Sequence, residues 1–183
     1  MTKRYDESKL TEMVLYVAAK LRSDRSGGAT KLNKVLYFAD FAHVRRTGRA
    51  ISGAEYQKLD HGPAPRRLRP IRDRLVASGE AAIVAEDVLG YKQQRLVPNR
   101  AADTSVFSDE ELETIDQVLD DLDGLTAKQV SDLSHDEPAW TLYDYGETIP
   151  HHSALIAKQQ VSTPPSHNLA REVAARYGIS PGA

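Results

Sequence analysis

The residues whose types could bind a metal or catalyse a reaction are six histidines and one short polar run. The histidines are His43, His61, His135, His151, His152 and His167. No two of them are three or four residues apart, the spacing that places two imidazoles on one face of a helix. The chain has no cysteine, so thiolate ligands, thiol nucleophiles and disulfides are excluded. We therefore expect no metal site and no cofactor.

The polar run Ser134-His135-Asp136-Glu137 contains the residue types of a catalytic triad. Residues adjacent in sequence cannot place the base between the nucleophile and the orienting acid, so we interpret Asp136 as the cap of a turn that Pro138 opens. The chain also contains neither the G-x-x-x-x-G-K-[ST] nor the G-x-G-x-x-G phosphate-binding pattern. The sequence therefore predicts a protein that is not an enzyme.

A third group of residues that could bind a ligand is cationic. Five arginines fall within the nine residues from 66 to 74, and guanidinium groups on one helix suit contacts with phosphate. Leu68, Ile71 and Leu75 would share the buried side of that helix, which leaves the arginines on the remaining arc. They predict either a solvated face or a nucleic-acid contact. The candidate contact residues, with two cations of a predicted hairpin, are Arg66, Arg67, Arg69, Arg72, Arg74, Lys92 and Arg95.

The two parts of the chain carry opposite charge. Residues 1–100 contain 20 Lys and Arg against 11 Asp and Glu, a net charge of +9, and residues 101–183 contain 4 against 15, a net charge of −11. The whole chain is therefore close to neutral, at −2. Such asymmetry is typical of a part that faces nucleic acid or of two parts that attract each other within one fold, and the second interpretation is the simpler.

Helical periodicity dominates the elements that must position these residues. Asp6 and Thr30 cap the first two helices, and a third begins near Arg67. Capping boxes predict the starts of two more, Ser108 with Glu111 and Thr126 with Gln129. A helical turn follows Pro138, another helix is expected over 150–160, and Asn168 caps a last one.

Extended segments are few. Residues 54–59 could hold one short strand, and 82–85 with 91–97 predict a β-hairpin. The predicted class is mainly helical, α+β, with six to seven helices and a small antiparallel hairpin or three-stranded sheet after the third helix. Helix, helix, strand, helix, hairpin is also the order of a winged helix, in which the third helix enters the major groove.

The length of 183 residues predicts one main domain. We expect it to occupy residues 1–160, with a linker and a short C-terminal helix or tail over 161–183. The polar amino terminus and the lack of any run of about 20 apolar residues predict a cytoplasmic protein that does not contact membranes.

Two motifs identify a family resemblance. Lys31-Leu32-Asn33-Lys34-Val35-Leu36-Tyr37-Phe38-Ala39-Asp40 is followed, some twenty residues later, by Gly62-Pro63, and Trp140 with Gly146-Glu147-Thr148-Ile149-Pro150 follows near the end. Together they resemble the Panacea domain of SocA-like antitoxins, a family that includes many phage-associated proteins, over about residues 8–157. The arginine run after Pro65 is not part of the family pattern.

The resemblance implies a mostly helical, non-catalytic protein that neutralises a cognate protein toxin by direct binding, either by occluding it or by delivering it to a cytosolic protease. Operator DNA and a second copy of the chain are further partners left open. Tyr37, Phe41, Tyr143 and Tyr145 are aromatic candidates for anchors, with core packing as the simpler role. The residues predicted to bind the partner are Tyr56, His61, Gly62, Pro63, Arg66, Arg67 and Trp140. The alternative function is a winged-helix transcriptional regulator.

Overall fold

A computed structural model describes residues 4–88 and 90–156 of the protein. Within these ranges there are six α-helices and five β-strands. The helices are α1 (Glu7–Lys20), α2 (Ala29–Thr47), α3 (Leu68–Ala77), α4 (Asp109–Asp121), α5 (Ala127–His135) and α6 (Pro138–Thr141). The strands are β1 (Tyr56–Gln57), β2 (Ala64–Pro65), β3 (Ala81–Val88), β4 (Tyr91–Pro98) and β5 (Thr148–Ile149). Short 3-10 helices cover Leu21–Ser23, Thr104–Val106 and His151–Leu155.

Helix α2 lies at the centre of the core. It packs against α1, α4, α5 and the 3-10 helix His151–Leu155. Val35, Leu36 and Ala39 are fully buried within it, and Tyr37 and Phe41 are also buried, with ring centroids 4.2 Å apart. Because α2 is enclosed on several sides, even its polar residues must find partners inside the protein.

The predicted caps of α1, α4 and α5 are confirmed. The Asp6 carboxylate accepts a hydrogen bond from the backbone N–H of Lys9 at 2.9 Å. Both capping boxes form, with the Ser108 side chain paired to Glu111 and the Thr126 side chain paired to Gln129. These bonds satisfy N–H groups that would otherwise lack partners in the first turns of α4 and α5.

Two other predicted caps are wrong. Helix α2 begins at Ala29 after Gly28, so Thr30 lies inside the helix and does not cap it. Asp136 is the C-cap residue of α5, and Glu137 precedes α6 without a side-chain bond to it.

The extended segments form two sheets. Strand β1 lies between β2 and β5, pairing Tyr56 with Pro65 on one side and with Ile149 on the other. Strands β3 and β4 form a separate antiparallel hairpin, from Ala81 opposite Pro98 to Val88 opposite Tyr91. The predicted hairpin after the third helix is confirmed. A three-stranded sheet also exists, but it is not placed after α3, because β1 and β2 precede that helix and β5 comes from the far end of the chain.

Two other expectations differ from the structure. The helix expected over 150–160 is, in its described part, the single 3-10 segment His151–Leu155. The winged-helix order is not confirmed, because a helix-turn-helix joins its two helices by a turn of three or four residues. Here residues 48–67, which include two strands, separate α2 from α3. The helix expected after Asn168 lies outside the described residues.

None of the helices in residues 4–88 and 90–156 combines the length and the apolar character needed to cross a bilayer.

Ion pairs join the basic part of the chain to the acidic helix α4. Lys9 Nζ lies 2.5 Å from Glu111 Oε2, and Arg46 Nη2 lies 2.9 Å from Glu113 Oε2. The opposite charges of the two parts therefore meet within one fold.

Candidate functional site

The segments of the family-like motif, which are distant in sequence, meet around one buried amine. Lys34 projects from α2 and is only 2% exposed. Its Nζ donates a hydrogen bond to the carbonyl oxygen of Pro63 at 3.0 Å. Helix α2 is thereby bonded to the turn that precedes α3. We call Lys34, Gly62, Pro63 and Ser134 the motif cluster.

Residue 62 has a backbone conformation and a close environment that favour glycine. Its φ of +92° lies in the region that L side chains rarely adopt. A Cβ placed on it would lie 2.3 Å from Ser134 Oγ and 2.8 Å from Lys34 Nζ. The turn can therefore approach α2 and α5 this closely only because residue 62 has no side chain.

The environment of Lys34 changes its protonation. Burial away from water disfavours the charged amine and lowers the pKa of Lys34 to about 7. The Pro63 carbonyl is the hydrogen-bond partner of its Nζ. The amine can keep this bond in either protonation state, since a neutral amine still donates.

The Ser-His-Asp run is used for structure in this fold. Ser134 is fully buried, and its hydroxyl donates to the carbonyl oxygen of Ser131 at 2.6 Å. Ser131 in turn donates from its hydroxyl to the carbonyl oxygen of His61 at 2.8 Å, which fixes the turn from the side of α5. His135 Nε2 has no hydrogen-bond partner among the described residues. Ser134 and His135 therefore do not form a nucleophile and base pair.

Trp140 lies beside this cluster and joins α5 to the loop after β1. Its ring stacks on that of His135, with centroids 4.2 Å apart and planes inclined by 25°. Lys58 Nζ lies 4.0 Å from the centroid of the Trp140 ring, within the range of a cation–π contact. The same amine donates to the carbonyl oxygen of Tyr143 at 2.8 Å.

Exposed apolar side chains follow Trp140 in the chain. Leu142 is 60% exposed and Tyr145 is 65% exposed. An apolar area bordered by a cation is typical of protein-binding surfaces, where aromatic residues supply much of the binding energy. We call Lys58, Trp140, Leu142 and Tyr145 the Trp140 face.

The structure separates the predicted partner-binding residues into two groups. His61, Arg66 and Arg67 are exposed and Trp140 is half-buried. Tyr56, Gly62 and Pro63 are buried, so they support the surface from beneath and do not form part of it. Tyr37 and Phe41, which were predicted either as partner-binding anchors or as core residues, both lie in the core.

Tyr56 belongs to a buried polar network that was not predicted from the sequence. Its hydroxyl donates to Asp40 Oδ2 and to the carbonyl oxygen of Leu36, each at 2.8 Å. Asp40 also accepts from the backbone N–H of Ser52 at 2.8 Å and from the Ser52 hydroxyl at 2.6 Å. Burial and the nearby Asp40 carboxylate raise the pKa of Tyr56 well above its usual value. A carboxylate on the apolar face of α2, four residues from Leu36, was the available signal.

The predicted nucleic-acid contacts are separated by the fold. Arg95 is 5% exposed, and it pairs with Glu86 at 2.9 Å and donates to the carbonyl oxygens of Leu21 and Asp24. It cannot reach a phosphate from there, because its guanidinium group is enclosed by these partners.

Two further arginines of the predicted set form ion pairs with one carboxylate of the same chain. Arg67 Nη2 and Arg74 Nη1 lie 2.9 and 2.6 Å from the Glu7 carboxylate. Their hydrogen bonds lower the pKa of Glu7 to about 2. Of the predicted set, Arg66, Arg69 and Lys92 are exposed, Arg72 is partly exposed, and none of these four has its guanidinium or amine enclosed as that of Arg95 is.

No group of three or more His, Asp or Glu within residues 4–88 and 90–156 is placed to hold a metal ion.

A model of the family described as "Antitoxin SocA-like, Panacea domain" matches residues 32–141, which is more than half of the chain. The match includes Lys34, Gly62 and Trp140, the residues that meet in the motif cluster and the Trp140 face. Comparison with curated proteins and with solved structures finds no match.

Proposed function

This chain belongs to the family of SocA-like antitoxins with a Panacea domain, and we propose that it neutralises a cognate protein toxin in the cytoplasm by direct binding, without catalysis. The family match over residues 32–141 is the observation that carries the proposal. The Trp140 face supports it, because Leu142 and Tyr145 are exposed beside an aromatic ring that the fold holds in place. The hydrogen bond of Ser134 to a backbone carbonyl is in line with a non-catalytic role.

Co-expression with the product of the neighbouring gene tests this function. We expect that product to arrest growth when it is expressed alone, and growth to recover when this chain is present. A product that is harmless alone, or that remains toxic beside this chain, would contradict the proposal.

Surface variants then test which face binds. The double substitution Leu142→Glu with Tyr145→Glu places two carboxylates on the Trp140 face and should abolish rescue. Val76→Glu with Val84→Glu is the matched control, because these valines are 39 and 40% exposed and lie on α3 and β3. Rescue by the first variant at the level of the control would remove the Trp140 face from the proposal.

The fate of the toxin distinguishes occlusion from delivery to a cytosolic protease. If the chain acts as an adaptor, the half-life of the toxin should fall when the chain is present, and it should recover in cells that lack the protease. If the chain acts by occlusion, the half-life should not change. Comparable toxin levels with and without the chain would exclude the adaptor role.

Binding to operator DNA is a second candidate, favoured by the exposure of Arg66, Arg69 and Lys92 with the partly exposed Arg72. Four phosphate contacts would give a slope of about −3.6 in a plot of log binding constant against log salt for duplex DNA. A slope near zero would exclude this function. Sedimentation of the full chain would show in the same samples whether a homo-oligomer forms.

A further inference from the structure

A groove runs along the β3–β4 hairpin where it faces α2, α3 and α5. One part, of about 600 Å³, lies between the tip of the hairpin and the first residues of α2 and α5. A second part, of about 270 Å³, continues between the hairpin, α2 and α3. Ala29 and Gln94 line both parts, so the two form one elongated depression. We call it the hairpin groove.

The dimensions of the groove suit an extended chain. Strand β4 lines it from Leu96 to Tyr91, five residue steps, which span about 17 Å at ~3.4 Å per residue. That length corresponds to about six residues of an extended peptide. Leu32, Leu68 and Leu96 are buried side chains that line the second part, so the groove offers apolar contacts as well as polar ones.

Among the described residues, all charged side chains that line the groove are cations. They are Arg66, Arg69, Arg72, Lys92 and Lys128. The side chains of Arg69 and Lys128 are 85 and 83% exposed, so their charges are accessible to a partner.

Nearby carboxylates neutralise only part of this charge. Asp73 lies beside Arg69 and Arg72, at 3.9 and 3.0 Å, and Asp132 lies 2.6 Å from Lys128. Asp87 is opposite Lys92 in the hairpin, and its carboxylate accepts from the N–H of Gly90. In the part of the chain that the structure describes, three acids therefore accompany five cations, which gives the groove an excess of positive charge.

Arg66 and the start of α2 add to this excess. Within residues 4–88 and 90–156, the guanidinium group of Arg66 donates only to neutral acceptors. These are the side chains of Gln57 and Thr148 and the carbonyl oxygen of Gly146. Gly28, which caps α2, lines the groove together with Ala29 and Thr30, so the positive end of that helix dipole faces the groove. No side-chain hydrogen bond covers this end of the helix. Both features favour a negatively charged occupant.

We propose that the hairpin groove binds an extended peptide segment in which acidic and apolar side chains alternate, and, resting on the proposed function, that this segment belongs to the toxin. Carboxylates would meet the cations at the rim, and apolar side chains would cover the buried leucines. Arg66 connects the groove with the Trp140 face, since it lines the groove and bonds to the loop beside Tyr145.

Nucleic acid fits the groove less well. Single strands bind to several aromatic rings on which successive bases stack, whereas Tyr91 is the one aromatic residue among the described residues that line the groove. The leucines of the second part would also be left in contact with phosphates or water.

The test uses the full chain and two sets of fluorescently labelled octapeptides. One set is drawn at random from Asp, Glu, Leu, Ile and Gly, and the matched set replaces the acids with Lys and Arg. We expect the chain to retain members of the acidic set only. Retention of no acidic peptide, or equal retention of both sets, would overturn the proposal.

Variants locate the binding. Arg69→Glu with Lys92→Glu reverses one cation in each part of the groove and should weaken the retained peptides at least tenfold. Arg22→Glu with Arg49→Glu makes the same change of charge at exposed sites outside the groove and should change the affinity less than threefold. Gln94→Trp fills the junction of the two parts without a change of charge and should also weaken binding tenfold. Equal affinities for the groove and control variants would overturn the assignment.

Two other occupants are outcomes of the same experiment. Displacement of the peptides by a 20-base-pair duplex would assign the groove to nucleic acid. A dimer that Gln94→Trp converts to a monomer would assign it to a second copy of the chain. Either result overturns the proposal.

The co-expression assay separates this proposal from the function on which it rests. If the wild-type chain neutralises its toxin but retains no acidic peptide, the groove assignment fails and the antitoxin function stands. If acidic peptides bind in the groove but no toxin is neutralised, the antitoxin function fails and the preference for acidic peptides stands. If the groove variant loses peptide binding but still neutralises the toxin, the occupant is not a segment of the toxin.

Discussion

The cations of the interior and those of the hairpin groove behave differently although they come from the same basic part of the chain. Lys34 and Arg95 are 2 and 5% exposed, and each donates to the backbone, Lys34 to one carbonyl oxygen and Arg95 to several. Arg69 and Lys92 are exposed beside an open depression. The interior cations hold loops in place, whereas those of the groove are accessible to a partner.

This difference shows that a count of arginines and lysines does not locate a binding surface. When a buried, hydrogen-bonded cation is removed, water cannot restore the bonds that its partners lose. When an exposed cation is removed, water replaces its bonds. The two regions should therefore respond to substitution by amounts that differ several-fold.

Arg95→Met should have the largest effect. It would remove the hydrogen bonds from the buried guanidinium group to the carbonyl oxygens of Leu21 and Asp24 and its ion pair with Glu86. We expect the loss of these charged bonds to lower the free energy of unfolding by about 4 kcal/mol. Urea denaturation measures the change. Arg69→Met, the same replacement in the groove, should alter stability by no more than about 0.5 kcal/mol. Similar losses for the two variants would contradict the distinction between the regions.

Gly62→Ala should be the next most severe. The new methyl group would overlap with Ser134 and Lys34 at a positive φ, so we expect a loss of about 2–3 kcal/mol in the free energy of unfolding. Gly48→Ala is the control, since Gly48 also has a positive φ but has open space around it. That control should cost about 1 kcal/mol. Equal losses would show that backbone conformation alone requires glycine at position 62.

Lys34→Met tests the interior through its pH dependence. The pKa of Lys34 is lowered to about 7 in the folded protein and lies near 10.4 in an unfolded chain, so the unfolded state binds more protons between these values. The stability of the wild type relative to the variant should therefore rise with pH above 7, by about 1 kcal/mol per pH unit, and should be lowest below pH 7. Denaturation at pH 6, 7.5 and 9 measures this rise. A difference independent of pH would show that Lys34 is charged in the folded protein throughout.

Lys128→Ala should have the smallest effect. Its amine pairs with Asp132 at 2.6 Å, but both side chains are largely exposed, so the pair is weak in water. We expect a change in the free energy of unfolding below about 0.5 kcal/mol. If thermal or urea denaturation shows a loss above 1 kcal/mol, the cations of the groove also support the fold, and the two regions are less distinct than their exposure indicates.

Much of the secondary structure could be predicted because its causes are local. The capping boxes at Ser108 and Thr126 involve residues three apart, and each forms as the sequence indicates. The short strand predicted within 54–59 is confirmed as β1, but the sheet around it could not be predicted, because β2 is two residues long and β1 pairs with Ile149, more than eighty residues away. A segment so short has no periodicity to read.

For the candidate site, the sequence determined which residue types were present and that Lys34, Gly62 and Trp140 belong to a family pattern. The tertiary structure decided that Gly62 lies against Lys34 and Ser134, that Tyr56 is buried under the surface, and that Arg95 is internal while Arg69 is not. The physical reason is distance along the chain. Caps and helix stripes depend on neighbours within four residues, whereas the burial of a charge and its partners depends on contacts that form only when the whole core is assembled.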